Sequence, residues 1–488
     1  SDLGVLMCLV FAVRLGHGAQ YTAPAPRRRG APAAPHNAPR MTLTHADRQP
    51  LPQRLVAQCA AWRGIPFRFQ LESAATGQGT GRLSVMGVDP FAVLTATGRD
   101  VDFFHAGRHQ KYDADPFDVL DALLAEWRFD RPDDGALPPI VVGYFGYDLG
   151  RHLERLPQRA IADQDFPDMV LGFYDRFTSF DHQSGEAREV DHRFGKAPAL
   201  SGSQYKQIFR TTPRLAAANF TRDSYLAAVQ RAQQYIAAGD IYQVNLSQRF
   251  AAVWSGDPYA LYRKLSTVSP APYASFFELG NRAVLSASPE LFLDLDGDRV
   301  ITRPIKGTRP RGQNAHDDAR LADELLASVK DEAELTMIVD LQRNDLGRVC
   351  LPGSVRVVTA KALEQHPSVW HLVATVEGRL LPGSGPIALL RASFPGGSIT
   401  GAPKIRAMEV IDELEPTRRA VYTGAIGMLP LDGRMTLSIA IRTMLLHGTH
   451  VTFQAGGAIT ADSDPIAEYE ETLIKAKALA RSIESSLL

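Results

Sequence analysis

Apolar and polar positions along the chain change period from stretch to stretch, and each period predicts an element. TRDSYLAAVQRAQQYIAAGD puts Tyr225, Val229, Ala232 and Ile236 on one helical face, with Thr221 as N-cap and Gly239 as stop. YQVNLSQRF then alternates with period two. Tyr242, Val244, Leu246, Gln248 and Phe250 point one way, and Gln243, Asn245, Ser247 and Arg249 the other. Its polar face either meets solvent or lines a site. Earlier, DPFDVLDALLAEW (Asp115 to Trp127) has helical spacing, and PPIVVGYFGYDLG (Pro138 to Gly150) reads as a buried strand entering a glycine-rich turn. From Asp181 to Asn219 the sequence turns polar and irregular. That stretch is expected to connect an N-terminal subdomain, 41–180, to a larger region, 220–488.

The first forty residues stand apart. The apolar run from Leu3 to Val13 is too short for a bilayer span, which needs about 20 residues. The Ala-, Pro- and Arg-rich stretch after it has too few large apolar groups to join a core. Residues 1–40 are therefore expected to lie outside the fold, as sequence translated from upstream of a start at Met41. A targeting segment is the weaker alternative.

Composition narrows the class. Hydrophobic residues make up 45% and charged residues 22%, ordinary values for a globular protein. The net charge of −1 gives no reason to expect a nucleic-acid or membrane partner. Cys8, Cys59 and Cys350 are far apart, which argues against a disulfide framework or a zinc site and for a reducing, cytoplasmic setting.

Several stretches could carry chemistry. Two predicted helices hold paired acids three residues apart, Asp331 with Glu334 and Glu468 with Glu471. Brought together they offer oxygen ligands suited to Mg²⁺, while alone each pair reads as solvated acids near a helix N-terminus. FPGGSITGAPKIRAMEVI is a glycine-rich loop entering a helix, with Pro403 in the first turn and Ser398 or Thr400 able to cap or donate. It is not a phosphate-binding Walker loop. Gly456 and Gly457 are placed after a strand, as a close approach to a ligand or a bulge. Arg442 is placed within an apolar strand, where a buried guanidinium needs an anion from substrate or protein. His371 interrupts another strand, as core residue or catalyst, and Glu290 sits at a turn, as base or loop acid. In ITRPIKGTRPRG, Lys306 is either a solvated loop lysine or a nucleophile.

Taken in order, QVNLSQRF, SASPE, PIKGTRPRG, AELTMIVDLQRNDLGRV, HLVATVEG, FPGGSITGAPKIRAMEVI, YTGAIG, SIAIRT, QAGGAITADSDP and EYEETLIKAKA resemble the motifs of the chorismate-utilising enzymes. That family includes the component I chains of anthranilate and aminodeoxychorismate synthases. The resemblance is dense from Phe220 onward and weaker from Phe67 to Asp175, through QLESA and GYFGYDLGR. It implies an α+β fold of two large antiparallel sheets packed face to face, with helices outside. It also implies Mg²⁺ on the ring carboxylate of chorismate, with Glu334 and Glu471 as direct ligands and Asp331 and Glu468 in support. By the same resemblance Tyr422 and Arg442 hold the enolpyruvyl carboxylate, and Thr308, Ser398, Gly456 and Gly457 contact substrate. His371 then acts at the leaving C4 hydroxyl, and Glu290 is an acid/base.

Two positions bear on which branch of the family is meant. Ala458 stands where the glycine motif usually continues. Lys306 stands where the anthranilate-type motif has alanine, and lysine there resembles the aminodeoxychorismate branch, in which the amine attacks C2 of chorismate. Burial or a nearby cation would free that amine, and Arg303 and Arg309 are close in sequence. No glutaminase nucleophile motif occurs, so a separate glutaminase subunit is expected to supply ammonia. The alternatives are an anthranilate synthase component I and a non-catalytic subunit that binds an aromatic amino acid at QLES.

Overall fold

A computed structural model describes residues 50–73, 82–133, 135–192, 218–367 and 369–484. The expected extension, 1–40, lies outside the described residues, as does most of the expected connector, 193–217.

Two antiparallel sheets form the frame. The ten-stranded sheet runs, edge to edge, Gly401–Ala402, Gln243–Val253, His450–Ile459, Thr443–His447, Arg282–Ser288, Tyr273–Leu279, Phe69–Glu72, Leu83–Gly87, Arg176–Asp181 and Ala187–Asp191. The twelve-stranded sheet takes Ile140–Phe145, Met169–Tyr174 and the strands between Ala92 and Asp113 from the first half of the chain. From the second half it takes Leu291–Asp296, Arg299–Arg303, Ile305–Pro310, Arg356–Gln365, Val369–Arg379, Ala425–Pro430 and Met435–Ile439. Both halves thus contribute strands to both sheets, and their described residues belong to one compact unit. Residues 187–191, inside the expected connector, are an edge strand.

The core explains the layering. Phe69, Phe277 and Val284 of one sheet meet Val142, Tyr144 and Ile426 of the other in a single apolar cluster. The outer face of the larger sheet packs on the helices Pro116–Glu126, Val329–Gly347 and Pro386–Ser393, through residues such as Phe117, Leu335 and Leu390. The outer face of the smaller sheet packs on Gln53–Ala61, Pro258–Val268 and Pro465–Glu484. Burying both faces of two sheets in this way gives the sheet-on-sheet arrangement with helices outside that the sequence resemblance implied. No described helix is long and apolar enough to cross a membrane.

Local predictions hold where local chemistry decides. Thr221 caps the Arg222–Ala237 helix, accepting from the Ser224 N–H, and Tyr225, Val229 and Ala232 are its buried face. Asp115 caps Pro116–Glu126 in the same way. Three readings need correction. Gly456 and Gly457 lie inside the His450–Ile459 strand, in unbroken register opposite Ser247 and Leu246, so they make no bulge. Arg442 lies between strands, where the chain passes from Met435–Ile439 of the larger sheet to Thr443–His447 of the smaller. Pro403 precedes the Lys404–Leu414 helix as its cap residue, and neither Ser398 nor Thr400 caps that helix.

Candidate active site

The reactive groups gather where the chain changes sheet. Glu290 sits at one crossover, between Arg282–Ser288 and Leu291–Asp296, and Arg442 at another. Lys306 lies on Ile305–Pro310, whose pairing with Val369–Arg379 slips by one residue between Lys306 and Thr308. Gly307 makes that slip possible. Its φ is +78°, and a Cβ there would come within 2.9 Å of Asp331. A bulge of this kind re-aims the side chains on either side.

Lys306 Nζ donates to the Ser398 carbonyl at 3.0 Å. Burial pulls its pKa below the usual lysine value, with Lys475 adding to the effect and Glu334, Glu290 and Glu471 opposing it. The arginines close in sequence are not the cause. Arg303 pairs with Glu364, and Arg309 pairs with Asp331 and Glu324, each at 3.2 Å. Glu290 is 4% exposed. Burial pushes its carboxyl up to about 7, against the Ser398 hydroxyl, the Lys306 charge and the Ile305 N–H. Ser398 therefore touches both groups, through its carbonyl and its hydroxyl. It sits on the short Gly397–Ile399 turn, which lies close to the core because Gly396 and Gly397 leave room for Ile439 and Leu341.

His371 is 2% exposed, and its Nδ1 lies 3.0 Å from Thr308 Oγ1. Its Nε2 has no hydrogen-bond partner among the described residues. Burial, then the charge of Arg442, hold the ring well below the usual histidine range, so it is neutral at physiological pH. Burial likewise lowers Arg442. No described carboxylate lies within ion-pairing distance of its half-buried guanidinium, which leaves the cation without an anion among the described residues. Tyr422 lies on a turn pinned to the Arg442 crossover. The Thr423 N–H donates to Ala440 at 2.8 Å, and the Ala440 N–H donates back to Gly424 at 2.9 Å.

The acids behave as two kinds. Glu334, on Val329–Gly347, makes no ion pair among the described residues, and burial raises its pKa. Glu471, on Pro465–Glu484, pairs with Lys475 at 2.6 Å. Burial acts to raise Glu471, but Lys475 and then Lys330 and Lys306 bring it below the usual range. Asp331 is held by Arg309 at 3.2 Å and Glu468 by the Ser463 hydroxyl at 2.7 Å. Gly457 makes room for the second pair, because a Cβ there would lie 2.8 Å from Glu468 and 3.6 Å from Glu471. Lys475, which also donates to the Gly456 carbonyl at 2.9 Å, is a site residue that the sequence reading left without a role. Its i,i+4 spacing from Glu471 was the available signal. Among the described residues, no group of three or more His, Cys, Asp or Glu is gathered closely enough to hold a metal ion. The acids nonetheless suit Mg²⁺, which takes one or two carboxylates and completes its shell with water and substrate oxygen.

A separate cavity of about 340 Å³ opens between the sheets at QLES, lined among others by Glu72, Ser73, Tyr273, Asp294 and Met428. None of the reactive groups above lines it.

Residues 68–481 match the model of the chorismate binding enzymes. The chain is 42% identical over 425 residues to aminodeoxychorismate synthase component 1 of Klebsiella aerogenes, covering 86% of this chain and 94% of that one. It is 41% identical to anthranilate synthase component 1 of Thermus thermophilus, covering 86% and 92%. Among solved structures, anthranilate synthase component I of Streptococcus pneumoniae superposes with a TM-score of 0.70 at 31% identity, covering 83% of this chain and 95% of that one. This chain belongs to the chorismate binding enzyme family.

Proposed function

We propose that this chorismate binding enzyme forms 4-amino-4-deoxychorismate from chorismate and ammonia, as an aminodeoxychorismate synthase component I in the synthesis of para-aminobenzoate for folate. The observation that carries the proposal is the contact of Lys306 with Ser398, which also bonds Glu290. A lysine with a depressed pKa beside a carboxyl group near 7 can give up its proton and act as a nucleophile. Overall identity does not separate the two activities, since 42% and 41% are nearly equal. Lys306 favours amination at C4.

On this reading the Lys306 amine attacks C2, the two ring double bonds shift, and the C4 hydroxyl leaves as water with a proton from Glu290. Neutral His371, whose buried Nε2 has no partner among the described residues, orients that hydroxyl. Ammonia then attacks C4, the double bonds shift back, and the C2–N bond breaks to release Lys306. The enolpyruvyl group is retained, and its carboxylate supplies the anion that Arg442 lacks, with Tyr422 beside it. Thr308, Ser398, Gly456 and Gly457 complete the substrate walls. Glu334 and Glu471 would hold Mg²⁺, with Asp331 and Glu468 in support, and the ion would supply positive charge beside the ring carboxylate. Glu334, without an ion pair, suits a direct ligand. The relatives' designation as component 1 favours a second, glutaminase component as the ammonia source.

The test is a product assay with chorismate, Mg²⁺ and an ammonium salt. Formation of 4-amino-4-deoxychorismate, converted to para-aminobenzoate only after a lyase is added, supports the proposal. Direct formation of fluorescent anthranilate would replace it with the anthranilate synthase reading. Absence of chorismate binding at millimolar Mg²⁺ would favour the non-catalytic one.

A further inference from the structure

The GYFGYDLGR stretch from the first half of the chain has no part in the chemistry above, yet it meets the turn that carries Tyr422. That turn is strained. Ala420 has φ +52° and Thr423 φ +61°, a region that side-chain-bearing residues rarely occupy. Such conformations persist only where the surroundings over-determine them.

The surroundings here come from residues 145–148. The Tyr147 N–H donates to the Ala420 carbonyl at 2.7 Å, and Asp148 Oδ2 accepts from the Ala420 N–H at 3.1 Å. Both backbone groups of the left-handed Ala420 are thereby held by two consecutive residues. Gly146 permits the approach, since a Cβ there would stand 3.0 Å from the Ala420 carbonyl oxygen. At the far end of the turn Gly424 packs against Phe145, where a Cβ would lie 2.0 Å from the carbonyl oxygen. Asp148 is 5% exposed, and its other oxygen accepts from Arg151 Nε at 3.2 Å. Arg419, at the start of the turn, lies over the Tyr147 ring at 4.9 Å.

We propose that Asp148 is a positioning residue for substrate binding: by clamping the strained Ala420 backbone, it holds Tyr422 in the shape that receives the enolpyruvyl carboxylate. The inference rests on the reading that Tyr422 meets substrate.

The test uses the full chain with Mg²⁺, hydrogen exchange over residues 418–424, and the chorismate dissociation constant. Asp148→Ala should speed exchange in that segment by roughly tenfold or more, and weaken chorismate binding by about fivefold or more. Asp148→Asn keeps an acceptor for the Ala420 N–H and should stay within about twofold of wild type in both. Adding Ala420→Gly to Asp148→Ala should recover most of the lost affinity, because glycine occupies positive φ without strain. Unchanged exchange in Asp148→Ala, equal damage from Asp148→Asn, or failure of Ala420→Gly to restore binding would each overturn the clamp. If Asp148→Ala does not fold, the Asp148→Asn comparison still decides, since a role confined to pairing with Arg151 and with Arg418, whose Nε lies 4.0 Å from Asp148 Oδ1, predicts loss on removing the charge. Tyr422→Phe serves as the control. Unchanged chorismate binding in that variant would overturn the reading of Tyr422 as a substrate contact, while the exchange data would still decide the clamp.

Discussion

Glu290 and Lys306 are ordinary residue types whose titration burial shifts, and that shift leaves a trace in stability. The Glu290 carboxyl is raised from 4.5 to about 7 in the fold. Below pH 4.5 it is protonated whether the chain is folded or unfolded, so nothing is lost. As pH rises from 4.5 to 7 the unfolded chain releases its proton first, and the folded state loses up to roughly 3 kcal/mol. Glu290→Gln removes that loss. Its stability relative to wild type should therefore improve by about 3 kcal/mol between pH 4 and pH 8, measured by urea unfolding at both. A difference that does not change with pH would mean Glu290 ionises like a surface acid. Lys306→Ala should leave chorismate affinity nearly unchanged, since Arg442 and the acids remain, while amination slows by roughly a hundredfold or more. If Lys306 only formed an exposed ion pair, worth about 0–1 kcal/mol, turnover would stay near normal.

At the scale of elements, the glycine-bearing strand His450–Ile459 and the acid-bearing helix Pro465–Glu484 are fitted to each other. Gly457→Ala places a methyl group 2.8 Å from Glu468. The fold should survive, because the strand keeps its register, but the Mg²⁺ concentration for half-maximal turnover should rise by about tenfold. Titration of activity with Mg²⁺, alongside an unchanged circular dichroism spectrum, checks this. What the sequence revealed at this scale follows from range. The Thr221 cap, the alternation of 242–250 and the spacing of the acid pairs are set within a few residues, and all were legible. Whether the polar face of 243–249 is wet or buried depends on elements far away in sequence, and pattern alone left it open. It is buried: Ser247 bonds Glu415, and Arg249 pairs with Asp163. Arg442 was placed in a strand for a related reason. The apolar run around it continues across the change of sheet, and only long-range pairing shows where one strand ends.

For the whole molecule, interleaving of the two halves is the main constraint. Strands from residues 69–191 complete both sheets begun by strands beyond 242, so neither half can bury its sheet edges or the inter-sheet core alone. Residues 220–488 should therefore fail to fold by themselves, although they carry every candidate site residue named above. Expression of that fragment should give material that is aggregated or sensitive to limited proteolysis. A fragment with native near-ultraviolet circular dichroism would contradict the interleaving. The polar, irregular stretch from Asp181 to Asn219 made the first half read as a separate subdomain. Its residues Tyr147 and Asp148 instead bond directly to Ala420 in the second half.

As the proposed nucleophile, Lys306 is expected to become covalently bonded to chorismate during turnover. Its most direct test is mass spectrometry of the intact protein and its peptides after incubation with chorismate and Mg²⁺, without ammonia. A nucleophilic Lys306 gives an added mass of chorismate less one water, mapped to the peptide containing Lys306, lost on adding ammonium and absent from Lys306→Ala. Full amination by Lys306→Ala, with no adduct on the wild-type protein, would contradict it.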